Sequence, residues 1–194
     1  MYNLQTKIKL GDNEFNIREK GDFRLILDCF EALNDAELSK NERVISSLII
    51  FYEDINDIED LDKFPSTEEA IKEMFKFFNC GQEEEYSSKN NYKLIDWRKD
   101  SQLVCSAVNK VAGQEIRALP YLHWWTFMGY YMGIGESALS TVVGIRHKMK
   151  AGKKLEKYEN EFKRDNPQYF VWDSQSVEEK EAYDEVMALW NSGK

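Results

Sequence analysis

The segment YLHWWTFMGYYMGIGE, residues 121–136, combines the residue types that most often bind ligands or catalyse reactions. It contains two tryptophans, a phenylalanine, three tyrosines and His123, one of only two histidines in the chain, and it ends at Glu136. Three roles fit such a composition: a ligand-binding or catalytic cluster, a buried helix, or a surface that binds another protein.

Glu136 is the one residue in this segment with a catalytic precedent. Glu136 and Ser137 open a helix after a glycine, as a Glu-Ser pair does in lytic transglycosylases of lysozyme type, and a carboxylic acid among aromatic rings can act as a general acid. Acids and hydroxyls are also favoured in the first turn of any helix. We therefore expect helix capping, no catalytic residue and no enzymatic activity, with a wall-degrading enzyme as a remote alternative.

Metal and nucleotide sites have little support in the sequence. His123 and His147 are the only histidines, and the three cysteines form no CxxC pair, so zinc ligands of the usual spacing are missing. The acidic run DINDIEDLD resembles the start of a calcium loop but lacks the glycine of the sharp turn, which favours a solvated loop. No phosphate-binding loop occurs either. We expect no metal and no cofactor.

The helix predicted over the aromatic segment has almost no polar face. A helix that is apolar on all sides must be covered on most of them. The sequence thus predicts a core helix first, and a protein interface along one side second. The candidate interface residues on this helix are Trp124, Trp125, Phe127 and Tyr131.

A basic run follows at residues 145–157, IRHKMKAGKKLEK, with six Lys or Arg and one Glu. No aromatic residue interrupts it, and cations are favoured at a helix C-terminus. This pattern indicates a solvated face or a protein-docking patch rather than a nucleic-acid site. The candidate interface residues here are Arg146, Lys150, Lys153 and Lys154.

The composition indicates a folded chain that stays in the cytoplasm. The 194 residues include 26 Lys or Arg and 35 Asp or Glu, a net charge of −9, which disfavours general nucleic-acid binding. Three widely spaced cysteines are typical of reduced thiols. No run reaches the length of a membrane span, and the first residues do not resemble a signal peptide. We expect a cytoplasmic protein that binds neither nucleic acid nor membrane.

The periodicity of apolar residues predicts a mainly α fold, a helical bundle of about seven or eight helices with a short N-terminal β-hairpin. The hairpin turns at Gly11-Asp12-Asn13. Helix starts are predicted at Asp22, at the capping boxes Ser39/Glu42, Ser66/Glu69 and Ser176/Glu179, at Asp96, after Pro120 and near residues 136 and 154. The polar stretch 81–93 predicts a linker between blocks 1–80 and 94–194, which could also form one compact domain.

Four stretches together resemble the bacteriophage gene-product-fifteen family, found in phages and prophages of Gram-positive bacteria. They are DFR at 22–24, IDWRKDSQLVCSAVNKVAG at 95–113, YLHWWTFMGYYMGIGE at 121–136 and STVVGIRHKMKAGKKLEKYENEFKRDNP at 140–167. The resemblance covers nearly the whole chain and is strongest from about 95 to 166. The acidic segment 53–62 and the last 25 residues do not contribute to it.

The resemblance implies a binding function without catalytic activity. The family has no established activity and no agreed catalytic residues, and its genes resemble in position those lying between the major tail protein and the tape measure protein of long-tailed phages. It therefore implies a tail assembly chaperone that binds the tape measure protein, a second tail assembly chaperone or the tail-tube protein. A structural tail or connector subunit is the alternative, and a homo-oligomer is compatible with both.

Overall fold

A computed structural model describes residues 3–82 and 94–171, which form a β-hairpin followed by seven α-helices. The prediction of a mainly α fold with a short N-terminal hairpin is confirmed. The strands are β1 (Lys7–Leu10) and β2 (Asn13–Asn16), and the helices are α1 (Phe23–Leu33), α2 (Lys40–Phe51), α3 (Thr67–Phe78), α4 (Ser101–Ala112), α5 (Trp124–Met132), α6 (Ala138–Lys150) and α7 (Lys157–Asp165).

The described residues divide into two compact units. The first consists of 3–82 and 121–128, and the second of 94–120 and 129–171. The predicted division into blocks 1–80 and 94–194 stays a prediction. The predicted linker 81–93, apart from its first two residues, and the helix predicted to start at Ser176 lie outside the described residues.

The hairpin supplies one wall of the first unit. Its strands pair antiparallel, with Ile8 opposite Phe15, and Gly11 takes the positive φ of 56° that the tight turn requires. Because side chains alternate across a strand, one face carries only apolar residues, and these are buried: Ile8, Leu10, Phe15 and Ile17. The hairpin therefore packs on the helices of its own chain, as a marginal two-stranded sheet must.

The helices of the first unit begin at the residues that the sequence predicts. Asp22 caps α1 through the Arg24 N–H, and Ser39 forms a complete capping box with Glu42 at the start of α2. Ser66 accepts the Glu69 N–H at the start of α3. These side chains satisfy backbone donors that a helix start leaves without partners.

Aromatic rings fill the core of the first unit. Phe51 lies at its centre, with its ring centroid 4.8 Å from Tyr52, 5.4 Å from Phe77 and 5.6 Å from Phe78, all at steep angles. Edge-to-face pairs of this kind add stabilisation beyond the area that the rings bury. The buried Tyr52 hydroxyl donates to the Ala70 carbonyl, so its polar end is satisfied.

Three helices begin at least three residues later than the sequence predicts. One is α7, which begins at Lys157 and not near residue 154. Asp96 caps only an isolated turn, through the Arg98 and Lys99 N–H groups, and α4 begins at Ser101. Likewise α5 begins at Trp124 rather than directly after Pro120. Arg146 donates to Asp100 just before α4, and the Leu122 N–H donates to Asp22 just before α5. Local sequence patterns do not show such long-range hydrogen bonds.

The second unit has a smaller core of aliphatic side chains, in which α4 packs on α6. Its buried apolar residues are Val104, Ala107, Val108, Ile116, Leu139, Val142 and Ile145. Two aromatic pairs, Trp97–Tyr131 and Phe162–Phe170, flank this core. Among residues 3–82 and 94–171, no helix combines the length and hydropathy that crossing a membrane requires.

Replacing Trp124 by alanine tests the role of α5 as a core helix. Trp124 is only 1% exposed, so Trp124→Ala should lower the free energy of unfolding by roughly 3–5 kcal/mol, through lost burial and an unfilled cavity. Urea denaturation followed by circular dichroism measures the change. Met132→Ala, on the same helix at a residue that is 77% exposed, is the matched control and should cost less than about 0.5 kcal/mol. Equal effects of the two variants would contradict the core assignment.

Candidate protein-binding surface

Residues 121–125, referred to below as the 121–125 clasp, are hydrogen-bonded to the start of α1. The Leu122 N–H donates to Asp22 Oδ2 at 2.8 Å, and the Phe23 N–H donates to the Leu122 carbonyl at 2.9 Å. The Trp124 N–H donates to the Gly21 carbonyl at 2.8 Å. These bonds join parts of the chain that are a hundred residues apart in sequence, and they account for the late start of α5.

Gly21 can make this contact because it has no side chain. Its φ is +75°, a region that favours glycine, and a Cβ there would meet the ring of Phe77 at 2.7 Å. A glycine at this position therefore leaves room for the Phe77 ring of α3 beside the residue that the clasp binds.

His123 has a structural role at the centre of the clasp. Its ring lies against Phe77 and Trp125, and the residue is 1% exposed. Nε2 lies 2.8 Å from the Gln5 carbonyl and must donate to it, whereas Nδ1 accepts the Trp125 N–H at 3.0 Å. One nitrogen donates and the other accepts, so the ring is neutral in a single tautomer. It caps α5 and joins it to the hairpin segment.

Burial lowers the pKa of His123 below the ordinary histidine value. The imidazolium form would lose its hydration and could no longer accept the Trp125 N–H. The same two bonds leave neither ring nitrogen available to a substrate or a metal ion in this arrangement.

Both indole rings of the clasp are also fastened to the end of α3. Trp124 Nε1 donates to the Phe78 carbonyl and Trp125 Nε1 to the Phe77 carbonyl, each at 2.8 Å. These carbonyls belong to the last turn of α3, whose carbonyls lack regular intrahelical donors, and the Phe77 carbonyl also accepts the Cys80 N–H at 3.0 Å. The tryptophans thus satisfy their own polar atoms and cap a helix at the same time.

The burial of α5 corrects two of the predicted interface residues. Trp124 and Phe127 are each 1% exposed, and the Phe127 ring stacks on Phe23 at 4.8 Å, so neither can reach a partner without repacking the core. Trp125 and Tyr131 are half-buried, with the Tyr131 ring 5.4 Å from Trp97. The second-ranked interpretation of this segment, an interface along the helix, therefore loses its central anchors.

Arg146 is a third correction. Arg146 is buried, with a residue exposure of 6%. Its guanidinium donates hydrogen bonds of 2.6 and 2.9 Å to the two carboxylate oxygens of Asp100. It also donates to the carbonyls of Leu94 and Tyr169. A buried arginine needs such partners, because an isolated charge in the interior is costly. Arg146 therefore joins segments of the second unit and is not part of a docking patch.

A small cavity adjoins this ion pair. It has a volume of about 30 Å³ and is lined by Asp96, Asp100, Arg146 and Tyr169, among others. That volume suits a water molecule rather than a substrate. Within the described part of the chain no group of three or more His, Cys, Asp or Glu is arranged to hold a metal ion.

Three of the predicted interface residues, Lys150, Lys153 and Lys154, are exposed together at the α6–α7 turn. They belong to a segment that we name the 149–158 surface. Its exposed lysines include Lys157, and its exposed apolar side chains are Met149, 38% accessible, and Tyr158, 63% accessible. Cationic and apolar side chains are therefore both exposed in this segment, together with the acid Glu156.

Local hydrogen bonds hold the 149–158 surface in one shape. Gly152 has a φ of +65°, and the Lys153 N–H donates to the Lys148 carbonyl at 2.8 Å, which is the Schellman arrangement of a helix end. On the other side of the turn, the Glu159 carboxylate accepts the Glu156 N–H at 2.8 Å and the Lys148 ammonium at 2.7 Å. Because the turn is already ordered at both ends, it loses little further conformational entropy when a partner binds.

Charge is divided unequally between the two units. The described residues of the first unit contain 10 Lys or Arg and 18 Asp or Glu, a net charge of −8. Those of the second contain 12 Lys or Arg and 8 Asp or Glu, a net charge of +4. The 149–158 surface thus lies in the basic unit of an acidic protein and should attract acidic segments.

Glu136 and the acidic run have local roles. Glu136 is exposed, and Ser137 beside it forms the N-cap of α6 with Ser140, so this pair has the geometry of a helix start. In the acidic run, Asp54 accepts the Asn16 N–H and Asp60 accepts the Asn56 N–H. The first of these bonds joins the loop to β2, and the second lies within the loop.

Several important residues were not singled out in the sequence. Met149, Lys157 and Tyr158 complete the 149–158 surface, and the basic run contained the first two without distinguishing them from buried neighbours. Asp22 could be identified only as a capping residue, and Asp100 was not identified at all. Their partners, Leu122 and Arg146, lie far away in sequence, and no local pattern indicates such pairs.

Fold and surface together define a class: a mainly α-helical protein whose described residues present an ordered basic and apolar turn. The chain belongs to the bacteriophage Gp15 protein family, whose model matches residues 3–170. The resemblance carried by the four sequence stretches is thereby confirmed. A search among curated proteins and a search among solved structures both found no match.

The neutral His123 predicts a loss of stability in mild acid. Because its pKa is lower in the folded chain than in the unfolded one, the unfolded chain binds more protons between the two values. Stability is complete above the unfolded value of about 6.5. It falls as the pH decreases toward the folded value, by up to about 1.4 kcal/mol for each pH unit. Chemical denaturation between pH 7.5 and 5.5 measures this loss.

The two histidines provide the control. His123→Gln should abolish most of the change between pH 7.5 and 5.5, whereas His147→Gln, at an exposed residue, should retain it. A pH dependence that survives in His123→Gln and disappears in His147→Gln would contradict the structural role of His123.

Proposed function

We propose that this protein is a non-enzymatic tail assembly chaperone that holds the phage tape measure protein, or tail-tube subunits, during long-tail morphogenesis in the host cytoplasm. The observation that supports this most is the ordered, exposed 149–158 surface in a member of a bacteriophage family. An exposed surface of lysines and apolar side chains suits reversible binding of protein segments rather than a chemical reaction.

The chemistry of the surface defines the segments that it would bind. Lysines attract carboxylates over several ångströms, and Met149 and Tyr158 can cover apolar side chains that would otherwise aggregate. An amphipathic helix with an acidic rim satisfies both, in the manner of a helix that lies in a groove. The net charge of −9 would then keep the complex dispersed.

The 121–125 clasp supports binding indirectly. It fixes α5 against α1 and α3 inside the first unit, and it uses the polar atoms of His123, Trp124 and Trp125 to do so. The aromatic residues that looked most suitable for chemistry in the sequence are thus committed to the fold, and this supports a role in binding rather than catalysis.

Co-expression with the tape measure protein encoded alongside this chain tests the proposal. We expect the chain to raise the soluble fraction of that protein several-fold and to co-purify with it. Lys153→Glu with Lys154→Glu should greatly reduce both effects, because two attractive charges become repulsive.

The matched control is Lys7→Glu with Lys9→Glu, which reverses two exposed lysines on β1, in the other unit. It should behave like the unmodified chain. No gain in solubility and no co-purification with the unmodified chain would refute the chaperone proposal, and equal effects of the two double variants would refute the assignment of the surface.

A chaperone should leave the tail when assembly is complete. We therefore expect quantitative mass spectrometry of purified particles to find this chain at far below one copy per tail-tube subunit ring. Stoichiometric amounts in mature tails would instead support a structural subunit of the tail or connector.

A further inference from the structure

The 149–158 surface has a complement within the same chain. The loop formed by residues 53–62, named here the acidic loop, carries six acids, and four of them are exposed: Glu53, Asp57, Glu59 and Asp62. Ile58, in the middle of these acids, is 61% exposed. The acidic loop is thus opposite in charge to the 149–158 surface, and like that surface it exposes an apolar side chain.

The acidic loop is also ordered before it meets a partner. Lys63 Nζ donates to the Asp54 carbonyl at 3.0 Å and pairs with the Asp60 carboxylate at 2.6 Å. Asp57 Oδ1 accepts the Asp60 N–H at 3.0 Å. These bonds hold the loop in shape. Asp57, one of the four exposed acids, takes part in one of them, and Ile58 stays exposed.

We propose that a second copy of this chain docks its acidic loop on the 149–158 surface. Four exposed acids face four exposed lysines, and Ile58 meets the apolar area of Met149 and Tyr158. We assign a second copy as the occupant because both halves of the contact are present in one sequence.

The contact joins two different surfaces, so it is head-to-tail. Each copy that joins leaves one acidic loop and one 149–158 surface available, and the assembly grows until it closes into a ring. Self-association would compete with binding of a tail protein at the same surface. In that respect the inference rests on the proposed function, but the association itself does not.

Sedimentation of the purified chain tests the inference without any tail protein. At about 50 mM salt the weight-average mass should rise with concentration above the 22.9 kDa of one chain, and about 500 mM salt should return it toward that value because the charges are screened. A mass that stays at one chain at every concentration in low salt would overturn the inference.

Two neutralised variants identify the surfaces. One carries Lys150→Gln, Lys153→Gln and Lys154→Gln, and the other carries Glu53→Gln, Glu59→Gln and Asp62→Asn. Each alone should associate at least about tenfold more weakly. An equimolar mixture, which contains one intact surface of each kind, should form a pair of chains that does not grow further.

Lys7→Gln with Lys9→Gln is the control and should associate like the unmodified chain. Variants that associate as strongly as the control, or a mixture that stays at one chain, would overturn the inference. If the chain does not self-associate, the co-expression result still stands. If the chain self-associates but does not raise the solubility of the tape measure protein, only the chaperone role is refuted.

Discussion

The buried carboxylate of Asp22 is the constraint on which the first unit depends. It accepts the Arg24 N–H and the Leu122 N–H, and it pairs with the Arg24 guanidinium at 3.0 Å. A carboxylate that is nearly excluded from water needs such donors, since desolvation without them is costly. These hydrogen bonds fix the start of α1 and hold the 121–125 clasp, a hundred residues away in sequence, beside it. The positions of His123 and of both tryptophans follow from this contact.

The consequence is that the most chemically suggestive segment of the sequence is a structural one. His123 is neutral, with both nitrogens hydrogen-bonded, and the two indole N–H groups cap α3. The second unit uses the Asp100–Arg146 pair in the same way, where its aliphatic core is small. The groups left exposed for binding are those of the α6–α7 turn, which is ordered by its own backbone hydrogen bonds.

The sequence predicts the structural features that depend on residues close together in the chain. The hairpin follows from alternation around Gly11, and α2 begins at Ser39 because that serine and Glu42 cap each other. Arg146 and Lys150 look alike in the basic run, yet one is buried and the other exposed. Only the distant Asp100 distinguishes them, and a single sequence does not reveal such a pair. For the same reason the apolar segment 121–132 predicts a core helix correctly but not its late start at Trp124.

The separation between a structural clasp at 121–125 and a binding surface at 149–158 can be measured by hydrogen–deuterium exchange of the chain, alone and in complex with the tape measure protein. Amides of residues 149–158 should exchange more slowly in the complex, while those of residues 121–128 should be protected to the same degree in both states. New protection confined to residues 121–128, with none in 149–158, would contradict this division of roles.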